Sequence, residues 1–171
     1  MTIRALGEKR PRIAPTAWVS EAAYVVGDVE IGEGSSVWPG AVIRGDFAPI
    51  RIGAFTHIED NCVVHTGEPL EIGDDCIVGH GVIVHGRRIG SYCLLGNNAT
   101  VLDGAVIGDA CTVAAGAVVL GNAVIPDESF VSGVPATHRP ATAKQVASRR
   151  RVMRGDEGYA LMSRLYKEAG L

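Results

Sequence analysis

A parallel β-helix of six-residue repeats, all-β except for a helical C-terminal segment packed on its outside, is the fold class this chain predicts. Three observations carry that expectation. Aliphatic residues recur every sixth position over most of the chain, glycine repeatedly follows them, and aromatic residues make up only 5% of the 171 residues while glycine appears 22 times. A period of six matches neither a helical stripe nor plain strand alternation; it matches a short strand plus a tight corner, three of which close one coil.

The repeat starts near residue 13 and runs through Val19, Val25, Ile31, Val37 and Ile43. It resumes at Ile52, Ile58 and Val64, then at Ile72, Val78 and Val84. A last series, from Ile89 through Leu95, Val101, Ile107, Val113, Val119 and Ile125 to Val131, is unbroken. The extra residues after Ile43 and Val64 read as corner loops, and the short step from Val84 to Ile89 reads as a tighter corner. After Pro135 the pattern stops. Residues 1–140 are therefore assigned to the β-helix and 141–171 to a helical segment, with Tyr159, Met162, Tyr166 and Ala169 as its packed stripe.

Composition bounds the function. A formal net charge of −3 with 20% charged residues offers no bulk attraction to nucleic acid or to an anionic membrane. No apolar run approaches the roughly 18 residues of a spanning helix, and the N-terminus lacks a signal-peptide pattern. The expected location is cytoplasmic. The four cysteines form no CxxC pair. Cys76, Cys93 and Cys111 each sit two residues before an aliphatic of one face, and Cys62 fills the same slot on the next, so a reduced, buried column is expected.

The period gives each residue an address. With Ile52 on face A, Ile58 on face B and Val64 on face C, equal addresses in adjacent coils stack at about 4.8 Å. His65 and His85 both follow a face-C aliphatic, pointing outward one coil apart, and Arg44 holds that address one coil below. His80 lies two residues past the face-B aliphatic Val78, directly above Asp60, on a different column. In a trimer with parallel axes one chain's column meets the other column of its neighbour. Heights match, Asp60 with His65 and His80 with His85. This predicts an intersubunit site built from His65 and His85 of one chain and His80 of the next, with Arg44 paired to Asp60 below it. Three imidazoles with one open position suit catalytic zinc. His138 reads as surface, and His57 is the reserve candidate for a ligand.

The segments IRGDFAPIRIG, NCVVHT, VGHGVIVHG and SGVPA resemble, in order and spacing, those of the gamma-class carbonic anhydrases, hexapeptide-repeat proteins with a left-handed β-helix. The resemblance implies a homotrimer with zinc, or iron or cobalt, between subunits. It also implies hydration of CO2 to bicarbonate by a metal-bound hydroxide, with ligands His65, His80 and His85. Arg44, Asp46 and Asp60 would be the polar residues of the interface and active site, and Tyr159 would match an active-site tyrosine. The family usually has Asn-Ile-Gln-Asp where this chain has His57-Ile58-Glu59-Asp60, so Glu59 stands where a Gln positions hydroxide and CO2. The long acidic loop of some members is absent, with Glu68 in a short loop instead. Two other classes share the repeat. One is an acyltransferase using a single interface His as general base beside coenzyme A, or a thioesterase-like relative; the other is a non-catalytic metal-binding assembly protein.

Overall fold

The computed structural model describes residues 2–151 and 158–171. Its body is a parallel β-solenoid. Face B holds seven parallel strands, Trp18–Val19, Ser36–Val37, His57–Ile58, Ile77–Val78, Leu94–Leu95, Thr112–Val113 and Ser129–Gly133, which count its seven turns. Faces A and C form one larger sheet because Tyr24–Ile31 and Val42–Ile52 run unbroken round the corner between them. The stacking follows the addresses set by the repeat: Ile58 pairs with Val78, Val64 with Val84, and Ile89 with Ile107.

Most strands are two residues long because each six-residue unit spends the rest on a corner. The inward residue of each unit is fully shielded: Ile58, Val78, Leu95, Val64 and Val84 are all 0% exposed. Each such side chain contributes roughly 1.5–3 kcal/mol of burial. Val19, in the first turn, is only partly buried.

The three outward faces differ in kind, and that difference places the site. Face A carries an alternating charge ladder, Arg12, Glu30, Arg51, Glu71 and Arg88, in register. Arg12 and Arg51 both pair with Glu30, at 3.1 and 3.4 Å. Such a face belongs in water. Face C carries the column Tyr24, Val42, Val63, Ile83, Thr100 and Val118, with no charge in it. Among the described residues nothing covers it; Tyr24 is 43% and Ile83 42% exposed.

Face B is covered by helix. Helix α1 (Ala143–Arg150) opens on a capping box in which Thr142 Oγ1 accepts from Gln145 N and Gln145 Oε1 accepts from Thr142 N. Helix α2 (Gly158–Glu168) docks through aromatic edges, with Tyr166 against Trp18 and Trp38 and Tyr159 against Trp38. The expected stripe needs correction. Met162 is 42% exposed and Ala169 lies past the helix, whereas Ser163 is buried. Two tyrosines reaching onto the tryptophan pair bring the helix close, and a small residue must face the sheet between them. The helical segment 141–171 holds these two helices, and its stretch over 152–157 lies outside the described residues. Beyond Pro135 the chain also makes one more strand, Ala136–Pro140, antiparallel to Ser129–Gly133, which closes the last edge of face B.

The cysteine column is buried and unbridged. It continues a ladder of small polar side chains. Ser35 Oγ donates to Gly53 O, Thr56 Oγ1 to Gly73 O, Cys76 Sγ to Gly90 O and Cys93 Sγ to Gly108 O, at 2.7 to 3.1 Å. Each side chain thus satisfies a corner carbonyl of the next coil, which is why Ser, Thr or Cys fills the slot. Burial pushes the Cys62 thiol up to about 12, so it holds its proton at any ordinary pH. Cys93→Ser keeps the donor and is expected to cost under about 1 kcal/mol, whereas Cys93→Ala removes it and costs about 1–2 kcal/mol. Denaturant melts of the two variants measure the difference, and equal midpoints would mean that the thiol only fills space.

Candidate metal centre

Two clusters flank face C, one along each of its corners. At the corner between faces C and A, His65 stands directly above Arg44 in register, and His85 stands one coil above His65. The imidazoles meet edge to face with centroids 5.1 Å apart, and His65 Nδ1 lies 3.2 Å from His85 Nε2. Two nitrogens about 2.1 Å from one tetrahedral zinc lie roughly 3.4 Å apart. The pair therefore fits two positions of such an ion.

Each ring of the pair is braced at its other nitrogen by a carboxylate. Asp46 Oδ1 lies 2.9 Å from His65 Nε2 and Asp103 Oδ1 lies 2.8 Å from His85 Nδ1. Asp46 also pairs with Arg44 and accepts from Phe47 N. Burial raises the Asp46 carboxyl, but the hydrogen bonds from His65 and Phe47 and the Arg44 charge outweigh it and hold the group below its ordinary value. Phe47 projects from the same bend and lies against the His65 ring.

At the corner between faces B and C, His80 occupies the turn Gly79-His80-Gly81, where Gly81 N donates to Asp60 O. Gly81 has φ +69°, and a Cβ there would meet Asn98 Oδ1 at 2.5 Å, so a side chain beside His80 would be strained and would have to displace Asn98. Asp60 Oδ2 lies 3.0 Å from His80 Nδ1 and Glu59 Oε2 lies 3.0 Å from His80 Nε2. Glu59 is buried under α2, where the Tyr159 phenol hydrogen-bonds it; burial, then that carboxylate, push the phenol above its usual range.

The expected residues thus fall into two groups, Arg44, Asp46, His65 and His85 on one corner and Glu59, Asp60, His80 and Tyr159 on the other. Among the described residues, no three His, Cys, Asp or Glu side chains gather into a metal site within the single chain. Arg44 pairs with Asp46 of its own chain. His138 is exposed, and Glu68 is exposed on its short loop.

Two features escaped the sequence reading. Asp103 is one; its signal was its place one coil above His85 and one residue further along. The other is His57, which is buried with Nδ1 2.8 Å from Ser36 Oγ, which in turn accepts from Trp38 Nε1. Its ring lies against Tyr159, which removes it as a reserve ligand. Burial lowers its pKa from 6.5 to about 4. Folding thus favours the neutral ring. The associated stability is complete above pH 6.5, falls as pH drops while only the unfolded chain takes the proton, and is gone below about 4. The loss amounts to about 3 kcal/mol. His57→Asn is expected to flatten stability across that window in pH-dependent melts; an unchanged slope would place the titration elsewhere.

Short strands stacked by coil, with side chains displayed in vertical columns, are the hexapeptide-repeat architecture. A family model described as "Bacterial transferase hexapeptide (six repeats)" matches residues 88–121. A "Probable carbonic anhydrase" of Methanocaldococcus jannaschii is 48% identical over 91 residues, covering 52% of this chain and 57% of that protein. A "Carbonic anhydrase" of Geobacillus kaustophilus is 41% identical over 97 residues, covering 56% and 53%. The crystal structure of a hexapeptide transferase family protein from Anaplasma phagocytophilum superposes with a TM-score of 0.87 at 32% identity, covering 95% of this chain and 96% of that one. The chain belongs to the hexapeptide-repeat family, and within it resembles proteins named gamma carbonic anhydrase. It spans about half the length of the curated relatives it matches. No helix among the described residues is long and apolar enough to cross a membrane.

Proposed function

We propose that the chain assembles as a homotrimer through face C and hydrates CO2 reversibly to bicarbonate at intersubunit metal sites, each held by His65 and His85 of one chain and His80 of the next. The observation that carries this reading is the His65 and His85 pair, whose facing nitrogens lie 3.2 Å apart at the rim of an uncovered apolar face. His80 borders the same face on its other rim and belongs to the same turn as His85. Closing face C against neighbours would remove the column of Tyr24, Val63 and Ile83 from water and bring opposite rims together. The names of the relatives point to the same chemistry.

Imidazole donors suit zinc, with iron or cobalt as alternatives. A metal there supplies the acidity that makes water a nucleophile near neutral pH. The chain's own residues do the rest. Asp46 holds the far nitrogen of His65 and Asp60 holds Nδ1 of His80, fixing ring orientation. Arg44 pairs with Asp46 and sits where a partner's Asp60 would approach. Tyr159 donates to Glu59 and holds that carboxylate at the edge of the site, where its charge opposes a bicarbonate product.

Metal analysis and stopped-flow CO2 hydration on one gel-filtered sample test the reading. A trimer carrying one metal per chain and a rate above buffer are expected. A protein without stoichiometric metal refutes it, and protection by acetyl-coenzyme A in such a sample would favour a transferase.

A further inference from the structure

We infer that Asp103 is the positioning residue for His85, an assignment that rests on the metal-site reading above. A neutral imidazole has one N–H and one lone pair, and a metal takes the lone pair. With Asp103 Oδ1 2.8 Å from His85 Nδ1, the proton stays on Nδ1 and the lone pair on Nε2, the atom that faces His65. His65 has other supports: it is wedged between Phe47 and His85 and held by Asp46. Among the described residues His85 has no such wedge, and apart from His65 its side-chain partner is Asp103. His65 and His85 then follow one rule, a carboxylate on the nitrogen that faces away from the pair: Asp46 for His65 and Asp103 for His85.

The coil above places this carboxylate. Asn122 N donates to Asp103 O at 2.8 Å, and Gly104 turns the corner immediately after it with φ +68°. The backbone of Asp103 is therefore set by the stack, while its side chain is 77% exposed. Removing the side chain leaves no buried partner unsatisfied, so the fold should not register the change.

The test uses the full chain in its assembled state, with Co(II) as probe, read by its visible spectrum and by competition with a chelator. Asp103→Ala is expected to weaken Co(II) binding about 10- to 100-fold and to alter the spectrum, with the thermal midpoint and trimer unchanged. Asp103→Asn, whose Oδ1 can still accept from His85 Nδ1–H, is expected to recover most of the affinity and the wild-type spectrum. If Asp103→Ala binds within about threefold of wild type, the assignment is overturned while the metal site stands. If wild type takes up no Co(II), the metal-site reading fails, and this inference with it.

Discussion

Replacing His80 with alanine is expected to strip zinc from the assembled protein, weakening binding by at least about 100-fold and abolishing CO2 hydration, while leaving the solenoid folded. The imidazole is 52% exposed and stands outside the coils, so truncation opens no cavity. Its backbone is fixed by the Gly81 corner, which the substitution does not touch. Two nitrogens from the neighbouring His65 and His85 would remain, and two imidazoles hold zinc far less tightly than three. Metal analysis after gel filtration, with circular dichroism on the same sample, reads both halves of the expectation. Full zinc retention would mean that the third ligand lies elsewhere. His57 could not replace it without first leaving its place beneath Tyr159.

Glu59→Gln is expected to raise CO2 hydration about tenfold with zinc content unchanged, since about 1.4 kcal/mol of barrier is a factor of ten. The side chain is buried, accepts from Tyr159 and lies 3.0 Å from His80 Nε2, so its charge acts at short range in a poorly solvated place. Glutamine has the same shape, can still accept from Tyr159, and carries no charge to oppose bicarbonate. Stopped-flow rates for the two proteins at matched metal content decide the matter. Equal rates would take Glu59 out of the chemistry and favour a role for the site other than CO2 hydration.

The solenoid was legible because its rule is local. Every sixth residue must be a shielded aliphatic, and that requirement alone sets which of Ile58, Val78 and Val84 stack on which neighbours. The same count put His85 above His65 and His80 above Asp60, and sent Cys76, Cys93 and Cys111 inward. It could not place what lies outside the coils. Position within the repeat marks Trp18 and Trp38 as outward but does not say that α2 will cross them, so Met162 was expected inside and Ser163 was overlooked. Nor does a spacing rule reveal hydrogen bonds between different addresses. The bond from His85 to Asp103 steps one place along the chain as well as one coil up. His57 and Ser36 do share an address, but the count does not show that Tyr159 of α2 lies against the His57 ring.

The stacking of equal turns makes the molecule's height a counted quantity. Ile89, Ile107 and Ile125 repeat every eighteen residues, each pairing with its counterpart in the adjacent turn. Gaining or losing one such unit at the end near Ile125 would leave His65, His80, His85 and their carboxylates in mutual alignment. A single residue inserted into Leu94–Leu95 would shift every later address by one and turn aliphatics outward. Relatives with the same site should therefore differ in length by whole turns at the ends or by freely sized loops at corners. The spacing between Val78 and Val84, which ties one rim of face C to the other, should tolerate neither.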